Sequence, residues 1–432
     1  MDDEKNVLIL SPFFPPRSGA GVYRWAKFSK YLNDFGWTPV IITAPIFKND
    51  KLDISIWNEI KDKIKIIYPA EYPKAQSTWW FEGKNTGLKY LLMGIINNTL
   101  FIPDLFIRYL PQFIASGICV CRKQKIHTII ATGSPFSTFI ISTLISKFTK
   151  LPLVLDFRDL WTDDYFVKRK KPHVQVLLKC MEAWAVRNAS AVISVTDDMT
   201  QLLKHKYNTC SNIEFCTITN GYDEDDFCDP IVQLESKELI FCHVGTWNAA
   251  HPLENFFKGL KISFDQKPEM QDRIRVVLCG QISNNQSDFI KDIGLAESVI
   301  YYGQIDHAEA IKIMLNSHIQ ILSMANLEHY SSYYSGKIFE YLRVRKEILG
   351  IIPEGVAANL IREVEAGTIV DPDNIIAISS IIIKYYEQFS NDLSMFIRKD
   401  DQYAQKVYRF NRKYLASELA RLLNKLENQC NE

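Results

Sequence analysis

The sequence lacks several features that would assign it to a class at once. Its 432 residues carry 50 Lys and Arg against 50 Asp and Glu, a formal net charge of zero. A dedicated nucleic-acid-binding protein would show a basic excess, so a net charge of zero argues against this class, provided that the charge is evenly spread. Nine cysteines are present, but no C-x-x-C pair occurs among them, which argues against common zinc-finger spacings. We therefore expect buried, reduced thiols in a cytoplasmic protein.

Long apolar segments are also missing. No run of about 18 uninterrupted apolar residues occurs, so we expect no membrane-spanning helix. The nearest approach, Leu88–Leu110, is interrupted by Asn97, Asn98, Pro103 and Asp104. The acidic start of the chain lacks the basic region and the longer apolar region of a signal peptide. These absences predict a protein that is made and kept in the cytoplasm.

The composition that remains is that of a globular protein with more than one domain. Apolar residues make up 47% and charged residues 23% of the chain, as in soluble domains, and the length suits two or three domains. Short apolar runs alternate with helical patterns in the first half. The predicted strands there are Val7–Ser11, Thr38–Thr43, Thr128–Thr132, Leu153–Asp156, Ala191–Val195 and Phe215–Ile218, with the first helix at Val22–Phe35. This alternation predicts a parallel sheet with helices on both faces.

The alternation is interrupted after Thr219–Gly221 by the acidic connector Asp223–Glu238 and then starts again. The predicted strands are Leu239–His243, Arg275–Cys279, Val299–Tyr301, Ile319–Leu322, Ile348–Ile352 and Thr368–Val370. The predicted helices are Pro252–Phe264, His307–Asn316, Gly336–Val344, Val356–Glu365, Asn374–Phe389 and the basic segment Gln402–Asn428. The fold class is therefore α/β, with two doubly wound domains at 1–225 and 226–401. Ligands of such domains bind beyond the carboxyl ends of the strands, often in a cleft between domains.

Two segments of the first half place functional groups at predicted strand ends. Gly19 and Gly21 lie in the loop before the first helix, where glycine lets backbone approach a ligand and helix-start N–H groups favour anions. A plain tight turn explains these glycines equally well. Arg158 and Asp159 follow the strand Leu153–Asp156, where a cleft is expected, although a surface ion pair is the simpler alternative.

The second half offers two corresponding segments. Thr246 follows a predicted strand, and His251 stands at the next helix start, although a lone histidine is often structural. Lys337 lies in the first turn of another helix, with Glu340 one turn further on the same face. A cation at a helix start opposes the helix dipole, so a bound anion would explain it. Glu340 suits two ribose hydroxyls, whereas the alternative is a solvated Lys/Glu pair.

Nine segments in matching order connect these residues to a known family. They are SPFFPPRSGAGVYR, ATGSPFST, LVLDFRDLWTDD, TNGYDEDDF, HVGTWNAAHPLENF, YYGQIDHAEAI, SGKIFEYL, IIPEGVAANLI and GTIVDPDN. Over nearly its whole length the chain resembles the family 4 glycosyltransferases of the GT-B fold, and most of all the bacterial branch that acts on surface polysaccharides and lipid-linked sugars. The resemblance implies two Rossmann-like domains facing across a cleft, with the C-terminal helix within 402–432 returning to the first domain.

The resemblance also implies an activity. It is the transfer, with retention, of a sugar from a nucleotide-diphosphate sugar to a hydroxyl of a glycan or lipid-linked acceptor. No metal and no other cofactor are expected to be bound. By position, Gly19 and Gly21 would lie under the donor phosphates. Lys337 would lie beside the diphosphate and Glu340 on the ribose. The backbone around Ile305 would meet the base.

Arg158 and Asp159 match the wall near the transferred sugar and the acceptor, and are the candidate catalytic residues together with Lys337. The sequence departs from the family in two places. Thr246 and His251 replace an Arg and a Lys, and Ser332 replaces the first of two glutamates. Lys337, aided by His251 or Arg17, would then neutralise the phosphates.

The zero net charge hides a division along the chain. Residues 1–225 and 402–432 carry 34 Lys and Arg and 25 Asp and Glu, whereas 226–401 carry 16 and 25. The basic part includes Lys168–Lys171 and the aromatic residues Trp79 and Trp80. Basic residues near apolar aromatics favour an anionic membrane surface, which predicts peripheral membrane association and a lipid-linked acceptor. A solvated basic loop beside ordinary core helices is the alternative.

Two other functions remain open at this stage. A nucleotide-sugar 2-epimerase uses the same twin-domain fold, but would need carboxylates and a histidine arranged for elimination and re-addition. A non-catalytic partner subunit would explain the missing glutamate at Ser332 and the missing Arg/Lys pair. We expect the transferase, because the segments around Arg158 and Lys337 fit it better.

Overall fold

The computed structural model describes residues 5–46, 50, 52–69, 101–230, 236–391, 396–398 and 400–431. The chain divides into two compact units, Met1–Asn220 with Arg412–Glu432, and Gly221–Asn411. Each unit contains one parallel sheet with helices on both faces. The predicted α/β class is therefore confirmed.

The first unit contains a seven-stranded sheet in the order β3-β2-β1-β4-β5-β6-β7. Its strands are β1 Lys5–Leu10, β2 Trp37–Ile42, β3 Lys65–Ile67, β4 Ile126–Gly133, β5 Leu153–Phe157, β6 Ala191–Ser194 and β7 Glu214–Thr217. All pairs are parallel. The central strands are buried on both faces, which explains why they read as continuous apolar runs rather than alternating ones.

Helices cover both faces of this sheet. They are α1 Ala20–Leu32, α2 Ile54–Ile60, α3 Leu110–Lys123, α4 Ser137–Thr149, α5 Tyr165–Lys168, α6 Pro172–Arg187 and α7 Asp197–Lys206. One core contains buried side chains of α3, α4 and α6. The other contains those of α1, α2 and a C-terminal helix. The first unit thus has two helix layers with separate cores.

Sequence reading missed one strand of this sheet, β3. It has only three residues, and its side chains are half-buried or exposed. It pairs with β2 alone at the edge of the sheet. An edge strand this short buries too little apolar surface to leave a clear pattern, and lysines interrupt the apolar residues around it.

The second unit contains a six-stranded parallel sheet in the order β10-β9-β8-β11-β12-β13. Its strands are β8 Leu239–Val244, β9 Ile274–Cys279, β10 Val299–Gly303, β11 Ile319–Ser323, β12 Glu347–Ile351 and β13 Gly367–Val370. Its helices are α8 Glu254–Gln266, α9 Asn284–Asp292, α10 His307–Leu315, α11 Lys337–Val344, α12 Val356–Glu363, α13 Ile375–Asn391 and α14 Asp401–Tyr408. The predicted strands of this half agree with the observed ones to within a residue or two.

The C-terminal segment differs from the predicted single helix over Gln402–Asn428. It forms two helices, α14 and then α15 Arg412–Asn431. Tyr403 and Val407 of α14 lie in a core of the second unit, whereas α15 packs on α1 in the first. The chain therefore changes units after Asn411 rather than at residue 402, because the apolar face of α14 is buried on the second sheet.

The acidic connector is part of the second unit, which begins at Gly221, and does not separate the two units. Asp223 is buried and caps the 3-10 turn Glu224–Asp226. Glu224 forms an ion pair with Arg343, whose guanidinium also lies 4.8 Å from the ring centroid of Phe227. The run therefore packs against α11, because a basic residue of that helix, Arg343, pairs with it.

The thiols were expected to be buried, and this is only partly correct. Among the eight cysteines that the structure describes, all free, Cys119, Cys180 and Cys228 are exposed. Trp79 and Trp80, with the first part of Leu88–Leu110, lie outside the described residues. Within the described part of the chain, no helix combines the length and apolar character needed to cross a bilayer.

Both sheets have a switch point, where strand order reverses direction. It lies between β1 and β4 in the first unit and between β8 and β11 in the second. The loops after these two strands leave toward opposite faces of the sheet, so a crevice forms at their carboxyl ends. The loops at these two places therefore position the candidate site residues.

Candidate functional site

Lys337 lies at the switch point of the second unit. It is the first residue of α11 and runs across the turn after β8, since a Cβ added to Gly245 would lie 2.7 Å from its Cε. Gly245 has a φ of 147°, which side chains rarely adopt. Among the described residues, no carboxylate forms an ion pair with Lys337. This half-buried ammonium therefore presents uncompensated positive charge.

Two histidines lie beside this lysine. His243, near the end of β8, places Nδ1 3.1 Å from the Ile321 carbonyl oxygen of β11. His251 places Nδ1 2.7 Å from the Ser323 carbonyl oxygen of the same strand. A carbonyl only accepts, so each Nδ1 carries the proton, and each neutral ring keeps an acceptor at Nε2. The His243 ring therefore bridges the two strands that define the switch point, and the His251 ring joins the loop after β8 to β11.

Burial keeps these rings neutral. It lowers the pKa of His243 to about 4, and the charge of Lys337 acts in the same direction. The pKa of His251 is also lowered, again chiefly by burial and further by Lys337. The Nε2 atom of His243 is buried and has no hydrogen-bond partner among the described residues. A buried polar atom without a partner is costly and commonly marks a functional position.

Glycines bring the loops of the second unit close together. Gly280, which follows β9, packs so tightly that an added Cβ would lie 2.1 Å from the Gly245 carbonyl oxygen. Its N–H donates to the Gly303 carbonyl, at 2.7 Å. Thr246 in the first loop is exposed, and Ile305 in the third is half-buried. The three loops therefore form one surface around Lys337, with Thr246 accessible on it.

Glu340 lies one turn after Lys337 and has a partner of its own. His307, the first residue of α10, places Nε2 2.9 Å from a Glu340 carboxylate oxygen. The other ring nitrogen of His307 lies 3.8 Å from a carboxylate oxygen of Asp226. His307 therefore bridges two carboxylates and fixes the direction of Glu340. Ser332, at the position of the missing glutamate, ends the 3-10 turn Glu328–Ser332 before α11.

The first unit has an open helix start at its own switch point. Gly19 precedes α1 with a φ of 140°, and no side chain among the described residues caps the helix. The first turn also contains no acidic residue. By contrast, α10 is capped by Asp306, which accepts from the Glu309 N–H. The Val22 N–H donates to the Gly19 carbonyl at 2.9 Å, but no described side chain accepts from the first turn of α1, an arrangement that suits an anion.

Arg158 holds the loops around this helix start. Its Nε donates to the Gly133 carbonyl, and its two Nη atoms donate to the carbonyls of Gly21 and Ser134, all at 2.6–2.7 Å. An added Cβ on Gly21 would lie 2.1 Å from the guanidinium. Gly21 is therefore a close-approach glycine. These bonds give Arg158 a positioning role, and its expected catalytic role stays a prediction.

Asp159, the next residue in the chain, is exposed to solvent. The protein packed around it raises the pKa of its carboxyl, opposed by Arg158 and reinforced by the carboxylates of Asp164 and Asp156. A carboxyl with a raised pKa at a strand end is a candidate for proton transfer or substrate binding. Asp159 is thus accessible on the first unit in a way that Arg158 is not.

A buried ion pair beneath these loops was missed by sequence reading. Arg24 of α1 and Asp156 of β5 are almost fully buried and lie 2.9 Å apart. Asp156 also accepts from Trp25 Nε1 and Thr132 Oγ1, and Arg24 donates to the Thr219 carbonyl. The network ties α1, β4, β5 and the end of the first unit together. The sequence pattern did not indicate that Arg24 is buried on α1. The ion pair with Asp156 is therefore recognised only in the structure.

Arg17 was suggested to help neutralise the donor phosphates, but its guanidinium is already occupied by protein acceptors. Its guanidinium donates to Asp50 Oδ2 at 2.7 Å and to the carbonyls of Ala44 and Pro12. The side chain is only 5% exposed. Because its donors are directed to these acceptors, Arg17 stabilises the loop after β1 and does not supply a free cation for phosphate.

The whole chain is similar to solved structures of known proteins. Sucrose-phosphate synthase from Thermosynechococcus elongatus matches with a TM-score of 0.65 and 14% identity, over 98% of this chain and 99% of that chain. HepE from Anabaena, in complex with UDP, matches with a TM-score of 0.64 and 13% identity, over 98% and 100%. WaaG, a glycosyltransferase involved in lipopolysaccharide biosynthesis, matches at 0.59 and 11%, over 96% and 99%.

At the level of sequence, no family model and no curated protein matches. At such low identity the structural likeness concerns the fold and not the residues of the site. The agreement over nearly the full length of each chain nevertheless confirms the predicted architecture. The chain has the GT-B fold of the glycosyltransferases.

Proposed function

We propose that the protein is a glycosyltransferase that takes its sugar from a nucleotide-diphosphate sugar. The observation that carries this proposal is Lys337, a half-buried ammonium without a described carboxylate partner at the switch point of the second sheet. It stands at the open start of α11, where no described side chain caps the first-turn N–H groups. Two sources of positive potential at one crevice suit a diphosphate.

The fold supports the same choice of donor. HepE, one of the structural neighbours, is solved with UDP and with UDP-glucose. In this chain we propose that Glu340, fixed by His307, accepts hydrogen bonds from the ribose hydroxyls. The surface around Ile305 would face the base. Thr246 and the neutral His251 would complete the phosphate and sugar contacts, His251 through its Nε2 acceptor.

The reaction would replace one bond at the anomeric carbon of the donor. The bond from that carbon to the phosphate oxygen breaks, and a bond to the acceptor hydroxyl oxygen forms. In the retaining course that we propose, the leaving phosphate oxygen takes the acceptor proton, so no side chain must act as base. Lys337 and the start of α11 stabilise the charge that develops on the diphosphate. No resident metal is needed for this role.

The acceptor side is proposed from the first unit. Gly19 and Gly21 leave the start of α1 open, and Arg158 fixes the loops around it through three carbonyls. Asp159 is the exposed carboxyl beside them and would bind an acceptor or sugar hydroxyl. We propose a glycan or a lipid-linked glycan as the acceptor, with a role in surface polysaccharide synthesis.

The proposal is tested by binding. Calorimetry with UDP, GDP and dTDP sugars should find one ligand that binds the wild type. Lys337→Met should weaken it by about tenfold to a hundredfold, because a charged hydrogen bond to phosphate is lost. Lys312→Met, on the exposed surface of α10, is the matched control and should bind normally.

Three outcomes would contradict the proposal. Equal affinity in Lys337→Met and the wild type would remove the proposed phosphate site. No binding of any of the nucleotides would favour a non-catalytic subunit. Epimerised nucleotide-sugar formed in the absence of acceptor would favour the epimerase.

A further inference from the structure

One helix layer of the first unit carries charge of a single sign. Between Asp104 and Asp156 the sequence contains no Asp or Glu, and between Asp164 and Asp197 the only one is Glu182. Glu182 is fully buried, where it accepts from Lys206 and Tyr207 at 2.6 Å. Helices α3, α4, α5 and α6 fall within these two stretches, so the charged side chains on their exposed surfaces are all basic.

The opposite helix layer of the same unit shows that this is not a property of the whole unit. There, basic residues face carboxylates. Lys413 pairs with Asp34, and Lys425 of α15 pairs with Glu214. Lys27 and Lys30 of α1 share Glu59. The positive field is therefore confined to the layer built by α3, α4, α5 and α6.

Helix α6 adds exposed apolar surface to this layer. Its inner stripe, Val174, Leu178 and Ala185, is buried against the sheet. Its outer face, however, is also apolar. Val176 is 61% exposed and Leu177 45%. A soluble helix normally presents polar residues on the side away from the core. The exposed Val176 and Leu177 therefore mark a surface that can bind another molecule.

The same outer face forms a shallow groove of about 450 Å³ lined by Val176, Lys179, Cys180, Ala183, Trp184 and Arg187. We call this lining, together with Leu177 and Lys168–Lys171, the α6 outer face. Lys147, from the last turn of α4, lies 6.0 Å from the ring centroid of Trp184. Its neighbour Phe148 is 65% exposed. Apolar side chains are thus surrounded by ammonium and guanidinium groups.

We propose that the α6 outer face docks on an anionic lipid surface. Exposed Val, Leu and Phe side chains can enter the boundary between headgroups and acyl chains, while Lys and Arg contact the anionic headgroups. Charge complementarity and the apolar residues together favour lipid over a nucleic acid, which would use the charge alone. Lys168–Lys171 was among the basic residues from which the sequence predicted a membrane surface, whereas the aromatic residues Trp79 and Trp80 named with it lie outside the described residues.

Docking on this face would also place the acceptor side at the lipid. The loop with Arg158 and Asp159 leads through α5 directly into Lys168–Lys171 and α6. This connection rests on the proposed function, and it favours an acceptor whose sugar is held at the membrane surface. Docking itself does not depend on transfer, so the two can be tested apart.

The test is co-flotation of the full chain with vesicles. The wild type should bind vesicles of phosphatidylglycerol and phosphatidylcholine at low salt, and binding to pure phosphatidylcholine should be much weaker. Lys168→Glu with Lys171→Glu should weaken binding by about tenfold or more, because each basic residue near an anionic surface contributes. Val176→Ser with Leu177→Ser should weaken it severalfold at unchanged charge.

Matched controls lie on exposed helices of the second unit. Lys258→Glu with Lys384→Glu makes the same change in net charge on α8 and α13, and Ile376→Ser removes an apolar side chain that is 63% exposed. Both should bind as the wild type does. The inference is overturned if the wild type does not bind at low salt, or if the controls lose binding equally. Insensitivity to the serine pair would also overturn it, and would indicate a purely electrostatic partner such as nucleic acid.

Nucleotide binding by the same variants separates this inference from the proposed function. The α6 variants should bind the nucleotide identified by calorimetry with unchanged affinity. A wild type that binds the nucleotide but no anionic vesicles overturns only the docking surface. A wild type that binds anionic vesicles but none of the nucleotides overturns only the proposed transferase.

Discussion

At the switch point of the first unit, Arg24 and Arg158 lie among oxygens that they hold in place. Arg24 bonds the Asp156 carboxylate and two carbonyls, and Arg158 bonds three carbonyls. At the corresponding place in the second unit, Lys337 lies across Gly245 beside two neutral histidines and without a described carboxylate partner. The switch points of the two sheets thus use positive charge differently.

The difference separates structural cations from cations that a ligand can use. A guanidinium that donates hydrogen bonds to protein acceptors holds a loop in place, so its removal should lower the stability of the fold. An ammonium that lacks such acceptors contributes little to folding, and its removal should affect binding. The following changes test this division, beginning with the largest expected effect on stability.

Asp156→Asn should destabilise the first unit most. It removes the charge that partners Arg24 inside the protein, and breaking a buried pair in this way costs about 3–5 kcal/mol. Urea unfolding followed by circular dichroism would measure the loss. Asp265→Asn breaks the exposed pair with Lys261, which should cost less than about 1 kcal/mol. Similar losses in both variants would contradict a structural role for the buried pair.

His243 should make the second unit sensitive to mild acid. Its pKa is about 4 in the folded protein against 6.5 for an ordinary histidine. Between these values the unfolded chain binds a proton that the folded chain does not, so stability falls as the pH falls. The loss over this range is about 3 kcal/mol. His243→Asn, whose amide can still donate to the Ile321 carbonyl, should show a shallower fall in urea unfolding from pH 7 to pH 4. A fall as steep as that of the wild type would exclude His243 as its source.

Gly21→Ala should cost about 1–3 kcal/mol, because the new methyl group must displace the Arg158 guanidinium. Thermal unfolding would report the loss. Gly336→Ala is the matched control, since an added Cβ there meets nothing within 4 Å. An unchanged melting temperature in Gly21→Ala would show that Arg158 does not require this close approach.

Much of the architecture could be read from the sequence because parallel strands that are buried on both faces are continuous apolar runs. Twelve of the strands of the structure were predicted within a residue or two in this way. The exception, β3, buries too little surface to leave a pattern. The change of units after Asn411 was also missed, because helical periodicity runs through both α14 and α15 and does not show which core each apolar face meets.

The candidate site was predictable only where a residue follows a strand or opens a helix. Lys337, Glu340, Gly21 and Arg158 were recognised from such positions. His243 lies inside a strand, and His307 lies on a different helix from its partner Glu340. Their significance depends on contacts across 33 or more residues of chain, for which a single sequence contains no local signal.

The sequence by itself thus determined the α/β class, the order of the strands along the chain and the glycines of the loops, because these follow from local pattern and backbone freedom. The tertiary structure decided which basic side chains bond to acceptors of the protein itself and which remain to bind a ligand. It also decided that the outer surface of α6 combines exposed apolar and basic side chains. Both depend on burial and on distant partners, and these exist only after the sheets and helices have packed.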